Sequence, residues 1–332
     1  MICAVLMVAA TSAAAAAETS INFSLDRAIN GPAAPFLLPL DRGWYRAAGV
    51  NVSIAPGKDT LEPISRVASG QFDMALADIN TLIKYRDANP KAPVKAVFML
   101  YNRPGYAIIS RKSRGVATPK DLEEKRLGAP AGDPSSAEWP VFAKVNNIDL
   151  AKVKVETVAN LVREPMLAAG QIDAVTGQSY SVFLELKDKG VPVNDILVMA
   201  MADYGVSLYG QAIIVNTAFA DKHPDAVRRF LGAFLKGLKA TVASPGRAVD
   251  AVLSRNEALK KDVERERLGM VIANNFVTPD VKADGYGAID DARFARAVEQ
   301  LSIGYRFKSA TPKPADVFDA SYLPPAAERA FR

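Results

Sequence analysis

The chain has 332 residues, 49% of them hydrophobic and 23% charged, with 41 basic and 36 acidic side chains and a net charge of +5. A chain of this length and balance buries a large core, suits two domains, and excludes global disorder. The small basic excess forms no run, and there is no zinc-finger, RRM or helix-turn-helix signature, so no nucleic-acid partner is expected.

Residues 2–17 carry no charge and end in five alanines at 13–17. That is the late part of a secretory signal peptide, with cleavage expected after Ala17, although the usual basic start is missing. The stretch is too short for a secure membrane span. Cys3 is the single cysteine and lies in this leader, so the mature chain holds no disulfide and no thiolate metal site.

Alternation at 21–26 predicts a first strand. Helical spacing covers 34–45, and a second strand, 50–54, ends at the Pro56-Gly57 turn. A helix at 62–69, a strand at 72–76, a helix at 78–86 with Asp78 as N-cap, and a strand at 94–100 follow. The apolar residues 107–110 are expected to lead out of the first lobe. Beyond them come a short helix at 119–122, a strand at 127–129, a helix from Gly132 to about Asn147 and a strand at 153–158. Next are a helix at 161–169, strand 172–175, helix 180–189, and strands 195–199 and 211–216. After residue 218 the pattern is mostly helical, and the proline-rich tail at 310–325 reads as an extended arm.

One motif occurs twice. Residues 67–73 read Val-Ala-Ser-Gly-Gln-Phe-Asp, and residues 167–173 read Leu-Ala-Ala-Gly-Gln-Ile-Asp. Each copy ends a helix at glycine and opens a strand after aspartate, which predicts two similar α/β lobes with a cleft between them. The expected architecture is two doubly wound lobes with parallel-rich sheets. Lobe 1 would comprise 18–110 plus 206–332 and lobe 2 would comprise 111–205, the chain returning near 205–212. Asp73 and Asp173 themselves open strands at the amino ends, the wrong edge for a ligand, and are read as ties between turn amides.

The span from Ile21 to about Leu253 resembles the periplasmic solute-binding proteins of ABC importers, in the group that binds sulfonates, nitrate and thiamine pyrimidine precursors (NMT1/THI5-like). The likeness rests on several short stretches in order. They are Leu25-Asp26; Asp41-Arg42-Gly43-Trp44-Tyr45 with Gly49-Val50-Asn51-Val52; Pro56-Gly57; and the first motif copy. Asp121-Leu122, Gly128, the Gly132–Ser136 helix start, Gly170–Ala174, and 216–220 with His223-Pro224 complete it. The resemblance implies a type II periplasmic binding protein fold, a hinged cleft, an extracytoplasmic location, and delivery of a small molecule to an ABC permease complex by a monomer. It implies binding without turnover. The same-fold pyrimidine synthases carry a cysteine-rich motif and active-site histidines, which this chain lacks: its lone histidine, His223, stands at a helix start. No cofactor and no metal site are expected. A ligand-sensing module is the other alternative.

Candidate ligand contacts lie at strand ends. Gly132-Asp133-Pro134-Ser135-Ser136 starts a helix where the family places a ligand loop; Ser135 and Ser136 with free amides would hold an anionic group, whereas Asp133 would repel it or simply cap the helix. Trp139 would stack on a ring or else pack in the core. Asp78 and Asn80 in the first lobe face Gln178 and Ser179 in the second, as ligand readers or as turn stabilisers. Asp26 and Asn30 follow the first strand, Tyr101 follows the strand at 94–100, and Tyr204 and Tyr209 flank the return crossing, sealing the cleft or covering the outside of the hinge.

Overall fold

The computed structural model describes residues 18–331; the expected leader at 1–17, with Cys3, lies outside the described residues. Ten strands form two five-stranded sheets. The first sheet contains β1 (Thr19–Ser24), β2 (Val50–Ala55), β3 (Met74–Asp78) and β4 (Val94–Met99). The second contains β5 (Tyr106–Arg111), β6 (Arg126–Ala129), β7 (Lys154–Thr157), β8 (Ala174–Gln178) and β9 (Ile196–Ala200), and β10 (Gln211–Asn216) returns to the first. Their orders are β2-β1-β3-β10-β4 and β7-β6-β8-β5-β9. The two orders superimpose strand for strand, with β1 matching β6, β3 matching β8 and β10 matching β5.

The doubled motif is the seam of this internal symmetry. Asp73 accepts the amide of Asn22 at the β1 edge at 2.8 Å, and Asp173 accepts the amide of Arg126 at the start of β6 at 2.8 Å. Gly70 and Gly170 adopt φ of +77° and +74°, the left-handed region in which glycine carries no Cβ penalty.

Each sheet is mixed, with one reversed strand. β10 runs antiparallel to β3 and β4, and β5 runs antiparallel to β8 and β9. The reversed strand is in each case the one that has just arrived from the other lobe. Both are buried on two faces, which is why they read as unbroken apolar runs without alternation. The expectation that 107–110 leads out of lobe 1 is therefore corrected. That segment is inside β5, in the second sheet, so the outward crossing precedes Tyr106 and the lobe boundary at 110 falls too late. An apolar run that enters a sheet and one that leaves it have the same composition.

Two crossings connect the lobes and run side by side: the amide of Gly210 donates to the carbonyl of Tyr101 at 2.8 Å, and the amide of Tyr101 donates to Gln211 at 2.9 Å. Their glycine carbonyls receive the first amides of two helices distant in sequence, Gly210 that of Ile79 at 3.0 Å and Gly105 that of Ser179 at 2.8 Å. Other differences are local. The helix expected at 34–45 breaks at Gly43, φ +65°, into Ala34–Asp41 and Trp44–Ala47. The helix expected from Gly132 to Asn147 is two pieces, Pro134–Ala137 and Trp139–Val145. The tail at 310–325 is not a plain extended arm: it includes the short helix Pro314–Val317 and the helical turn Ala320–Tyr322, and Phe318 bridges to Ala96 of β4.

Three apolar clusters hold the fold. One lies on a face of the first sheet, where Phe23, Phe36, Phe230 and Phe234 stack with centroids 4.5–5.3 Å apart. One lies behind the second sheet around Ile109 and Leu186. The remaining cluster is shared: Ala75 and Met99 from lobe 1, Tyr106, Leu127 and Phe142 from lobe 2, and Phe294 and Leu301 from a C-terminal helix.

Candidate functional site

The carboxyl ends of parallel strands from both sheets face one cavity of about 620 Å³, a volume suited to a small organic molecule. Lobe 1 contributes Asp26 and Arg27 after β1, the 58–61 loop after β2, and Thr81 and Lys84 on the helix Ile79–Ala88 after β3. Lobe 2 contributes the 131–134 loop after β6, Asn160 and Arg163 on the helix Asn160–Ala169 after β7, and Gln178, Ser181 and Glu185 after β8. A much smaller hollow adjoins it through Asp26 and Arg27 and is lined also by Asn30, Tyr101 and Tyr180.

The expected contacts divide into two groups. Asp26, Asp133 and Gln178 line the cavity, and Asn30 and Tyr101 line the adjoining hollow. The others do not reach either. Asp78 is fully buried; it accepts the amide and hydroxyl of Thr81 at 2.7 and 2.9 Å and the hydroxyl of Tyr106. Burial raises its carboxyl pKa above the usual range, and burial together with Asp78 raises that of Tyr106 well above its own. Asn80 donates its amide to the Tyr209 carbonyl at 2.7 Å and to the Tyr106 hydroxyl at 3.1 Å, so it braces the crossings. Trp139 is core, beside Phe142 at 6.0 Å, and Tyr204 covers the same phenylalanine at 5.9 Å. Tyr209 lies on the outside of the crossing, its ring under the Arg293 guanidinium at 4.4 Å and its hydroxyl accepting the Asp290 amide at 2.9 Å. Ser135 is fully buried, Ser136 shares a hydrogen bond with Thr176 at 2.7 Å, and Ser179 spends its amide on Gly105.

The anion-cradle expectation at 132–136 is likewise corrected. The carboxylate of Asp133 accepts the amides of Ser135 at 2.8 Å and Ser136 at 3.4 Å, occupying the donors an anionic ligand would need.

Three of the cleft's cations have carboxylate partners. Arg27 pairs with Asp26 at 2.9 Å, Lys84 with Glu138 at 2.6 Å, and Arg163 with Glu164 at 2.5 Å and with Asp133 at 3.9 Å. The Lys84–Glu138 pair joins the lobes. Glu138 is 2% exposed, and its burial raises its pKa against the lowering effect of Lys84. Gln178 is the converse case: both amide atoms are buried without a protein hydrogen-bond partner, and the residue lines the cavity. Its tip rests on Gly105, where an added Cβ would sit 2.4 Å from Oε1. A buried carboxamide with neither atom satisfied is uncommon in folded proteins and needs a polar partner or a strain to account for it.

Arg27, Thr81, Lys84, Arg163, Ser181 and Glu185 were not anticipated from sequence. The signal for several was present. Thr81 and Lys84 stand three and six residues beyond Asp78, and Ser181 and Glu185 three and seven beyond Gln178. Carrying the helical period one and two turns past each strand end reaches the cleft wall.

Comparison with known proteins agrees with this geometry. The riboflavin-binding protein RibY of Chloroflexus aurantiacus is 25% identical over 224 residues, 66% of this chain and 62% of that protein, so the chain spans less than two thirds of that relative's length. The formylaminopyrimidine-binding protein of Halalkalibacterium halodurans is 24% identical, covering 70% and 71% of the two chains. The 4-amino-5-hydroxymethyl-2-methylpyrimidine phosphate synthase of Schizosaccharomyces pombe is also 24% identical, covering 72% and 71%. In fold, the periplasmic aliphatic sulphonate binding protein SsuA of Escherichia coli superimposes with a TM-score of 0.73 at 11% identity, over 92% of this chain and 99% of that one. The family model described as NMT1/THI5 like matches residues 30–248, about two thirds of the sequence. With its two mixed-sheet lobes of the periplasmic-binding-protein type, this chain belongs to the NMT1/THI5-like family.

Proposed function

We propose that the protein is an extracytoplasmic solute-binding protein, a monomer that captures a small polar organic molecule between its lobes and delivers it to an ABC importer. The observation that carries this reading is the cavity of about 620 Å³ shared by both lobes, with the unsatisfied Gln178 carboxamide in its wall. A ligand there touches both sheets at once, and the hydrogen bonds it offers Gln178 stabilise the bound state. Among the classes that the family resemblance implies, a pyrimidine-like ring fits better than a sulfonate or nitrate. Of the four cations that line the cavity, Arg27, Lys84 and Arg163 each already have a carboxylate within 2.9 Å, so an anion at any of these three would have to displace or share an internal partner, which leaves Lys58 on the 58–61 loop to receive one. Gln178 offers both a donor and an acceptor, which a heterocycle edge matches and an acceptor-only anion does not. The similarity to a formylaminopyrimidine-binding protein supports the same choice.

An export role accords with the alanine-rich leader, with the periplasmic fold neighbour, and with the finding that no described helix is long and apolar enough to cross a membrane. A second reading, a synthase of pyrimidine metabolism, is favoured by the similarity to the yeast enzyme. Calorimetric titration with aminopyrimidines, riboflavin, alkanesulfonates and nitrate, followed by mass analysis of the recovered ligand, separates the two. A binder returns the ligand unchanged with one site per chain; a chemically altered ligand supports the synthase.

A further inference from the structure

The chain beyond residue 248, past the span matched by the family, grips lobe 2 at two places of different chemistry. The first grip is dry. The helix Asp291–Gly304 presents Phe294, Ala297, Val298 and Leu301, an i, i+3, i+4, i+7 stripe, to Trp139, Val141 and Phe142 of lobe 2, all within one buried cluster. Gln300 locks the same helix to the return crossing, accepting the Ser207 amide at 2.7 Å and donating to the Gly205 carbonyl at 2.8 Å.

The second grip is mixed: Tyr180, at the start of the lobe 2 helix, is buried in one apolar cluster with Leu268 and Val271, and the far end of that helix is held by exposed ions. The helix Lys261–Val271 lies against Ser179–Asp188, the lobe 2 helix that carries Ser181 and Glu185 into the cavity. Lys187 meets both oxygens of Glu266 at 2.8 and 2.7 Å, Lys260 stands 3.6 Å from Asp188, and Arg267 donates to Ser181 at 3.4 Å. On its other side the helix is fixed to lobe 1 by Glu264, which is 2% exposed and accepts the Gly31 amide at 2.6 Å. Lys187 and Glu266 are 44% and 39% exposed. Exposed pairs of this kind are weak and screened by salt, whereas separating a buried apolar stripe exposes large hydrocarbon surfaces to water. The ionic end of the second grip therefore yields first.

We propose that the C-terminal region supplies both a pivot and a latch: lobe 2 turns about the apolar contact with Asp291–Gly304, and the cleft opens where Lys187 and Glu266 separate. The device is independent of which ligand the cavity takes. It makes cleft opening sensitive to ionic strength even with nothing bound.

Spin labels test this on the full chain with Cys3→Ser, without ligand. One pair, Lys58→Cys and Asn160→Cys, spans the cavity; another, Lys144→Cys and Glu299→Cys, spans the pivot. Pulsed dipolar distances are recorded at about 0.01 M and about 1 M salt, where the screening length falls from about 30 to about 3 Å. Lys187→Glu or Glu266→Lys alone should raise the long-distance population across the cavity about two- to fivefold, the range expected for one exposed pair. High salt should do the same to the parent, and the double reversal should restore the short distance. The pivot distance should stay fixed throughout. Cavity distances indifferent to both reversal and salt, failure of the double reversal to restore them, or lengthening across the pivot would each overturn the proposal. The salt arm needs no charge-reversal variant, so it stands even if a reversal unfolds the protein.

Discussion

Replacing Gln178 by Leu should make the empty protein more stable and the binding protein worse. Both amide atoms of Gln178 are buried without a protein partner, and the side chain is close in volume to leucine. An unsatisfied buried polar group costs about 1–3 kcal/mol, whereas an apolar group of the same shape incurs no such penalty. The substitution should therefore raise stability by about 1 kcal/mol or more, roughly 2 °C or more in Tm for a chain of this size. Affinity should fall at least about tenfold, the equivalent of about 1.4 kcal/mol, because the ligand loses its partner. Scanning calorimetry on protein freed of ligand by unfolding and refolding, followed by titration, reads both quantities. Gly105 gives an internal check. A Cβ there would lie 2.4 Å from the Gln178 oxygen, so Gly105→Ala should be destabilising beside Gln178 and far milder beside Gln178→Ala. A Tm that falls by several degrees in Gln178→Leu would refute the reasoning, because it would show the carboxamide to be part of the apo fold's own bonding.

Asp73→Ala and Asp173→Ala should each cost about 1 kcal/mol, and their effects should add in urea unfolding, since each removes one tie of the same kind in a different sheet. Asn80→Ala should lower stability by about 2 kcal/mol through the stranded Tyr209 carbonyl, the Tyr106 hydroxyl keeping its bond to Asp78, with ligand affinity per folded molecule nearly unchanged; denaturation and titration together check this. The pH dependence of unfolding should carry the mark of Asp78. Burial raises its folded pKa, so the folded state holds this proton more tightly than the unfolded state does. Its contribution is complete below the unfolded value of about 4 and is lost as pH rises through the folded value. In Asp78→Asn that loss should vanish, giving a flatter stability profile on the alkaline side of pH 4, measured by urea unfolding across the range.

The two-lobe architecture was legible because it is written in local grammar. The helix–Gly–Gln–apolar–Asp motif recurs at a spacing of 100 residues, and the aspartates, expected to tie turn amides, each hold a strand amide instead, Asn22 of β1 and Arg126 of β6. The first reversed strand was misplaced because Ala107–Ser110 is buried on both faces and carries no periodicity to show which sheet it joins. The site was half legible for a related reason. Residues at strand ends are readable, but whether a polar side chain there faces the cleft or the crossings depends on what packs behind it. Asp78 and Asn80 turn inward because Tyr106 and Tyr209 arrive from elsewhere in the chain to receive them. Arg163 reaches the cleft wall from the helix after an edge strand, held by Glu164 and the Thr176 carbonyl, a contact across 13 residues that no local spacing encodes.

The central claim is that one small organic molecule occupies the cavity between the lobes. Native mass spectrometry of the protein purified from its own host, then challenged with a panel of pyrimidines and sulfonates, measures this directly. The expected result is a single small-molecule mass increment per chain, displaced by a pyrimidine-type ligand and much diminished in Gln178→Leu. A chain that carries no increment and takes up no member of the panel, in the parent and the variant alike, would contradict the account.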